Sequence, residues 1–337
     1  MTHKRLEGRH EAIVEPELSI VDTHHHLFLR PQVRYLFDDF LDDVRAGHRI
    51  VASVLVEAQS MYRPDGPELL RPLGEVEFAN GMGAMAASGL FGDTRACAAI
   101  VAHANLMAGD AVAQVLDAAL ALAPQRMRGI RQITFTHPSA ALKPYMRYTC
   151  PPGMMADPGF RAGFAQLARR GLSFDATVFH TQLDELCDLA ATFPDTAIVL
   201  GHLGLAMNIG LNPTELEDTF KAWREGLQRL ARHPNVSCKV GGLGMPFWGF
   251  GFDRREDEVG SAELAVAWRP WVETAVEAFG AQRCMMESNF PPDGISCGWV
   301  PLWNALKLVT RGCSADERAL MFRQTGARVY RIELPPG

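Results

Sequence analysis

No apolar run in this chain is long enough to span a bilayer, so a helical membrane protein and a membrane partner are not expected. There is no excess of positive charge. Lys and Arg number 33 against 39 Asp and Glu, a net charge of −6, which argues against a nucleic-acid surface. The seven cysteines (Cys97, Cys150, Cys187, Cys238, Cys284, Cys297 and Cys313) show no Cys-x-x-Cys pair and no finger spacing. An odd, scattered set points to a reducing compartment and inert thiols, and none has the setting of a nucleophile. No Gly-x-Ser-x-Gly elbow and no Walker loop occur, and Gly81-Met82-Gly83 lacks the spacing for dinucleotide binding. The stretch Thr2 to Glu17 is polar and charged, without a signal-peptide core, so a cytoplasmic protein is expected.

What is present is a globular composition, 47% hydrophobic and 21% charged over 337 residues. Short β-branched runs alternate with longer amphipathic stretches. Strands are expected at 18–24, 50–57, 97–103, 128–135, 172–179, 196–201, 235–240 and 283–288, with helices at 38–47, 75–88, 109–122, 158–170, 182–193, 214–232, 261–279 and 301–311 and a closing helix at 315–330. Eight strand–helix units predict an α/β fold, a (β/α)8 TIM barrel. The strands read as continuous apolar runs, as parallel strands covered on both faces do. The long segments (58–74, 136–157, 241–260 and 289–300) all follow strands, whereas Phe193-Pro194-Asp195 and Arg232-His233-Pro234-Asn235 make short returns. Barrel active sites grow from the loops that follow strands. We therefore expect an N-terminal arm over 1–17 and a single barrel domain over 18–337.

The first strand ends in Ile20-Val21-Asp22-Thr23-His24-His25-His26. Alternation puts His24 and His26 on one face and His25 on the other. Two imidazoles at a buried strand end are costly unless they serve a metal or a substrate; satisfied core histidines are the alternative. His202, in Leu200-Gly201-His202-Leu203-Gly204, would reach the same barrel mouth, and His180 ends the fifth strand as a further candidate, or as a loop residue. Met285, Glu287 and Asn289 should share a face of the eighth strand, and Glu57 ends the second. Each carboxylate belongs either to the site or to an ion pair with a barrel arginine. Arg131, in Arg128-Gly129-Ile130-Arg131, offers a cationic fork for a substrate carboxylate if it points inward. Tyr62, Arg63 and Tyr148 lie in the long loops and could add donors. Phe247, Trp248, Phe250 and Phe252 after the seventh strand read as an aromatic lid, or as a subunit contact of a homo-oligomer.

Asp22-x-His24-x-His26, the Arg-Gly-Ile-Arg strand, Gln182-Leu183, Leu200-Gly201-His202-Leu203-Gly204 and Ser288-Asn289-Phe290-Pro291 resemble the amidohydrolase-2 group of the amidohydrolase superfamily. The resemblance runs from about residue 20 to 330 and is strongest to its lactonase branch, which includes the pyrone-dicarboxylate, fuconolactone, rhamnonolactone and sulfomuconolactone hydrolases. It implies a barrel whose mouth hydrolyses a small, anionic lactone or related ester. His24 and His26 match the family's first-strand pair and His202 its sixth-strand histidine. Many relatives carry Gly-Ser-Asp-Trp-Pro on the eighth strand; here Asn289 stands at the Asp position, and an amide cannot act as a general base. Glu287, two residues earlier, could supply the missing carboxylate. The resemblance further implies one divalent metal, zinc by preference, held by His24, His26 and His202, or metal-free catalysis. The bridging lysine of two-metal members has no counterpart among Arg128 and Arg131 of the fourth strand, which argues against a two-metal centre. The expected site is thus Glu287, His202, Asn289 and His180 for catalysis and Arg131, Glu57, Tyr62, Tyr148 and Trp248 for the substrate, with a small molecule as partner. A metal-dependent decarboxylase on the same barrel and a non-catalytic binding protein are the rival readings.

Overall fold

A computed structural model describes residues 11–146 and 150–334. Eight parallel strands form one sheet: β1 (Ile20–His25), β2 (Ile50–Val56), β3 (Arg95–Ala102), β4 (Met127–Ile130), β5 (Ser173–Ala176), β6 (Ile198–Leu200), β7 (Val236–Val240) and β8 (Cys284–Met286). Each pairs with the next in chain order. Past the end of β8 the sheet closes on β1 through a parallel bridge between His25 and Phe290, with Asn289 N–H donating to His24 O at 2.8 Å and His26 N–H to Phe290 O at 2.8 Å. The result is the expected (β/α)8 barrel.

The helices pack outside: α1 (Phe37–Val44), α2 (Leu73–Ala87), α3 (Val112–Leu122), α4 (Pro158–Ala168), α5 (Leu183–Thr192), α6 (Pro213–Leu230), α7 (Ser261–Phe279) and α8 (Trp299–Val309). Their starts are legible in local chemistry. Asp157 accepts from the N–H groups of Gly159 and Phe160 ahead of Pro158, and Asn212 and Glu215 cap α6 reciprocally ahead of Pro213. Two apolar layers result. A large one lies between strands and helices. A small one fills the barrel: Val21, Val54, Val56, Val101, Val199 and Met285, sealed below by Tyr330 and Ile332. Two strand faces cannot both bury apolar side chains without reading as the continuous runs seen in the sequence.

Three elements differ from expectation. Residues 28–35 fold into a hairpin, Phe28–Arg30 against Val33–Tyr35. The fourth strand stops at Ile130, and residues 131–139 run on without regular structure. The closing helix is interrupted by a π turn at Leu320–Gln324 between Ala315–Ala319 and Thr325–Val329. Of the N-terminal arm, Val14 N–H donates to Asn304 Oδ1 at 2.8 Å, and Lys307 Nζ donates to the carbonyls of Val14 and Glu15, which fastens it to α8.

Candidate active site

The carboxyl ends of β1, β6 and β8 bring three side chains together, His24, His202 and Glu287. Glu287 is the hub. Its Oε1 lies 2.7 Å from His202 Nδ1 and accepts the His202 backbone N–H at 3.1 Å, while its Oε2 lies 3.0 Å from His24 Nδ1. All three residues are buried, and their ligand atoms lie within 4.8 Å of one another. The backbone is bent to achieve this. His202 and Leu203 adopt φ of 51° and 58°, in the left-handed region. Gly241 and Gly242 at the end of β7 leave the space: a Cβ on Gly242 would stand 2.5 Å from His202 Nδ1, and one on Gly241 would collide with Glu287. Trp248 holds this turn from outside, its indole N–H donating to Gly242 O at 2.9 Å.

Burial, before any neighbouring charge, pushes both His24 and His26 well below the usual imidazole range, so each carries one proton. His26 Nδ1 faces Val56 O at 2.8 Å and must donate to it, which leaves its Nε2 bare. His24 Nε2 lies 3.1 Å from that nitrogen and 3.3 Å from Arg131 Nη1, so it faces a lone pair on one side and a guanidinium donor on the other. His24 Nδ1 lies 3.0 Å from Glu287 Oε2 and 3.4 Å from Lys239 Nζ, and Glu287 Oε2 is a buried oxygen without a hydrogen bond among the described residues. A buried carboxylate oxygen without a hydrogen bond is unfavourable unless a cation lies beside it. Two imidazole nitrogens and one carboxylate match the donor set of a zinc site that keeps a position open, so His24, His202 and Glu287 fit a divalent ion. His26 stands next to this group and not within it.

The remaining expected residues are placed as follows. Arg131 points inward. Its Nε donates to Glu57 Oε1 at 2.7 Å, its Nη2 to Glu57 O, and its Nη1 lies 3.3 Å from His24 Nε2. Glu57 is thus the partner of a barrel arginine. Arg128 is held at the opposite end of the barrel, its Nε donating to Tyr330 O at 3.0 Å. Asn289 does not follow Glu287 into the site. Its φ of 50° breaks the strand alternation, and its amide donates to Asp293 Oδ1 at 2.7 Å. His180 lies away from the cluster, its Nδ1 accepting the Met207 N–H at 3.4 Å, and burial lowers it to about 4. Tyr62 stacks over His103. Trp248 and Phe247 are buried in the barrel wall, Trp248 against Trp271 and Phe247 against Phe135 and Phe179. Tyr148 lies outside the described residues.

A cavity of about 160 Å³ opens beside the cluster. His26, Glu57 and Arg131 border it on the barrel side, and Arg30, Phe28, Ile133, Phe135, Tyr145 and Pro292 complete its wall.

Sequence reasoning did not single out Lys239, Asp175 or Tyr330, and gave Asp22 no role beyond its place in the Asp22-x-His24-x-His26 motif. Lys239 on β7 is fully buried, its Nζ 2.7 Å from Asp175 Oδ2 on β5 and 3.4 Å from His24 Nδ1. The Tyr330 hydroxyl donates to the same Asp175 oxygen at 2.6 Å. Asp22 is a buried strut. Its Oδ1 accepts the N–H groups of His24 and Ser288 and its Oδ2 the Ser288 hydroxyl, and burial raises it to about 7. A lysine in the strand Val236–Val240 was the available signal, since a cation within an apolar strand needs a buried anion.

The comparisons with known proteins agree with this architecture. The chain is 31% identical over 338 residues to the uncharacterized protein y4mH of Sinorhizobium fredii, covering 94% of this chain and 99% of that one. It is 28% identical over 244 residues to the L-fucono-1,5-lactonase of Burkholderia ambifaria, covering 71% and 72%. Among solved structures, an amidohydrolase of Burkholderia multivorans with bound zinc superposes with a TM-score of 0.70 at 21% identity, over 93% of this chain and 99% of that one. The family model described as amidohydrolase matches residues 21–332, so that the chain belongs to the amidohydrolase family.

Proposed function

We propose that the protein hydrolyses a small anionic lactone or related ester, with water activated at the His24–His202–Glu287 cluster. The observation that carries this reading is the position of Glu287, between His24 and His202 at the barrel mouth beside a small, part-cationic cavity. The lactonase among the relatives supports the substrate class. A divalent ion on these three residues, zinc by donor chemistry, would lower the pKa of a bound water to about 7 and polarise the lactone carbonyl.

The protein's own groups do the rest. Phe28, Ile133, Phe135 and Pro292 hold the ring and exclude bulk water. Arg131 Nη1, aimed at the site from its anchor on Glu57, offers a fixed donor to the oxygen that gains charge as water adds to the carbonyl. Arg30, which also lines the cavity and donates to Ala58 O, supplies a second guanidinium for a substrate carboxylate. Glu287 takes the proton lost by water and returns it to the ring oxygen when the C–O bond breaks, which leaves a hydroxy acid.

The test is zinc analysis of the purified protein followed by a panel of aldonolactones and carboxylated lactones, read by acid release. Turnover of one or more carboxylated or sugar-acid lactones supports the reading. CO₂ release from aromatic acids with no lactone turnover would replace it with a decarboxylase.

A further inference from the structure

Beneath the proposed cation site lies a positive charge that the hydrolytic reading does not use. Lys239 is 0% exposed. Its ammonium is held by Asp175 at 2.7 Å and stands 5.1 Å from the centre of the Tyr330 ring. Tyr330 in turn bonds the same Asp175 oxygen, so the lysine is clamped from below and has no solvent to swing into. Its third contact is upward, to His24 Nδ1 at 3.4 Å. That nitrogen also lies 3.0 Å from Glu287 Oε2.

We propose that the Lys239 ammonium is a resident cation of this site, occupying the place beside His24 and Asp175 that a second metal ion would need. The centre is thereby restricted to one divalent ion, which it binds less tightly than its donors alone would allow. This rests on the reading of His24, His202 and Glu287 as a cation site.

Three observations converge on it. Asp175 Oδ2 and His24 Nδ1 both face the ammonium, and the same His24 nitrogen faces Glu287 Oε2, so the ammonium stands where these ligand atoms would otherwise attract an ion. Lys239 is paired with Asp175 and Arg131 with Glu57, so that of these charged groups and Glu287 the last has no buried cation of its own. One negative charge is left over, and neutralising Lys239 would leave two. Finally, Lys239 pairs across the strands with Met285, two residues before Glu287, so the barrel register itself fixes the ammonium below the carboxylate.

The experiment compares zinc stoichiometry, and affinity against a competing chelator, in the wild type, Lys239→Gln and Lys239→Arg. The glutamine amide can still donate to Asp175 but carries no charge. Lys239→Gln should bind the first ion at least tenfold more tightly and admit a second, while Lys239→Arg should behave as the wild type. Equal stoichiometry and affinity in all three proteins overturns the proposal. If the wild type binds no zinc and Lys239→Gln binds one, the proposal stands and the metal clause of the proposed function fails. If neither binds zinc, both fail. Should Lys239→Gln not fold by circular dichroism, the double variant Lys239→Gln/Asp175→Asn replaces the ion pair by an amide pair. Tighter zinc binding than the wild type is again expected, and no tightening overturns the proposal.

Discussion

His202 shows how much a single residue is asked to do. It must adopt a left-handed backbone, turn its ring towards Glu287 and lie against a glycine that could not be anything larger. Gly242→Ala should therefore cost about 1–3 kcal/mol, for its own φ of +65° together with displacement of the His202 ring. Thermal unfolding would measure the loss, and hydrolysis should fall with it. His24, His202 and Glu287 were legible because histidines and carboxylates at the ends of apolar strands have few innocent explanations. Two things were not legible. The inward direction of Lys239 and Asp175 is hidden because a strand buried on both faces shows no alternation. The outward turn of Asn289 depends on a positive φ, which no pattern of hydrophobicity records.

At the scale of elements, β2 and β4 are tied across β3 by the buried pair of Glu57 and Arg131. Arg131→Met would leave Glu57 buried and unpaired, and should destabilise the protein by about 3–5 kcal/mol in denaturant titrations. The loop after β2 has its own anchor. Glu75 on α2 accepts the N–H groups of Ala58 and Ser60, and burial, with Glu57 nearby, pushes it up to about 8. An acid with a raised folded pKa holds its proton longer in the native state, so it contributes a loss of stability as pH rises from about 4.5 to about 8. Glu75→Gln keeps an acceptor without the charge. The difference in Tm between Glu75→Gln and the wild type should grow in favour of the variant from pH 5 to pH 8, and a difference independent of pH would refute this. Element order and type followed from periodicity, whereas the hairpin at 28–35 and the π turn at 320–324 did not. Strands of three residues carry too few side chains to show a period.

For the whole molecule, barrel topology decides where chemistry is found. The C-terminal segment seals one end with Tyr330 and Ile332, and the long loops that follow β2, β4, β7 and β8 surround the other. Between these ends a polar column of Tyr330, Asp175, Lys239, His24 and Glu287 runs through an otherwise apolar barrel. Among the described residues no helix is long and apolar enough to cross a membrane, and all seven cysteines are free. The barrel was legible as a whole because eight strand–helix units admit few other closures. The column was not, because its members are scattered over 300 residues and meet only once the sheet closes. The most direct measurement is acid release from the lactone panel by zinc-loaded wild type and Glu287→Gln, with folding of both verified by Tm. The account predicts that Glu287→Gln loses about 10²- to 10⁴-fold in kcat on any lactone the wild type turns over. Full activity in Glu287→Gln would contradict it.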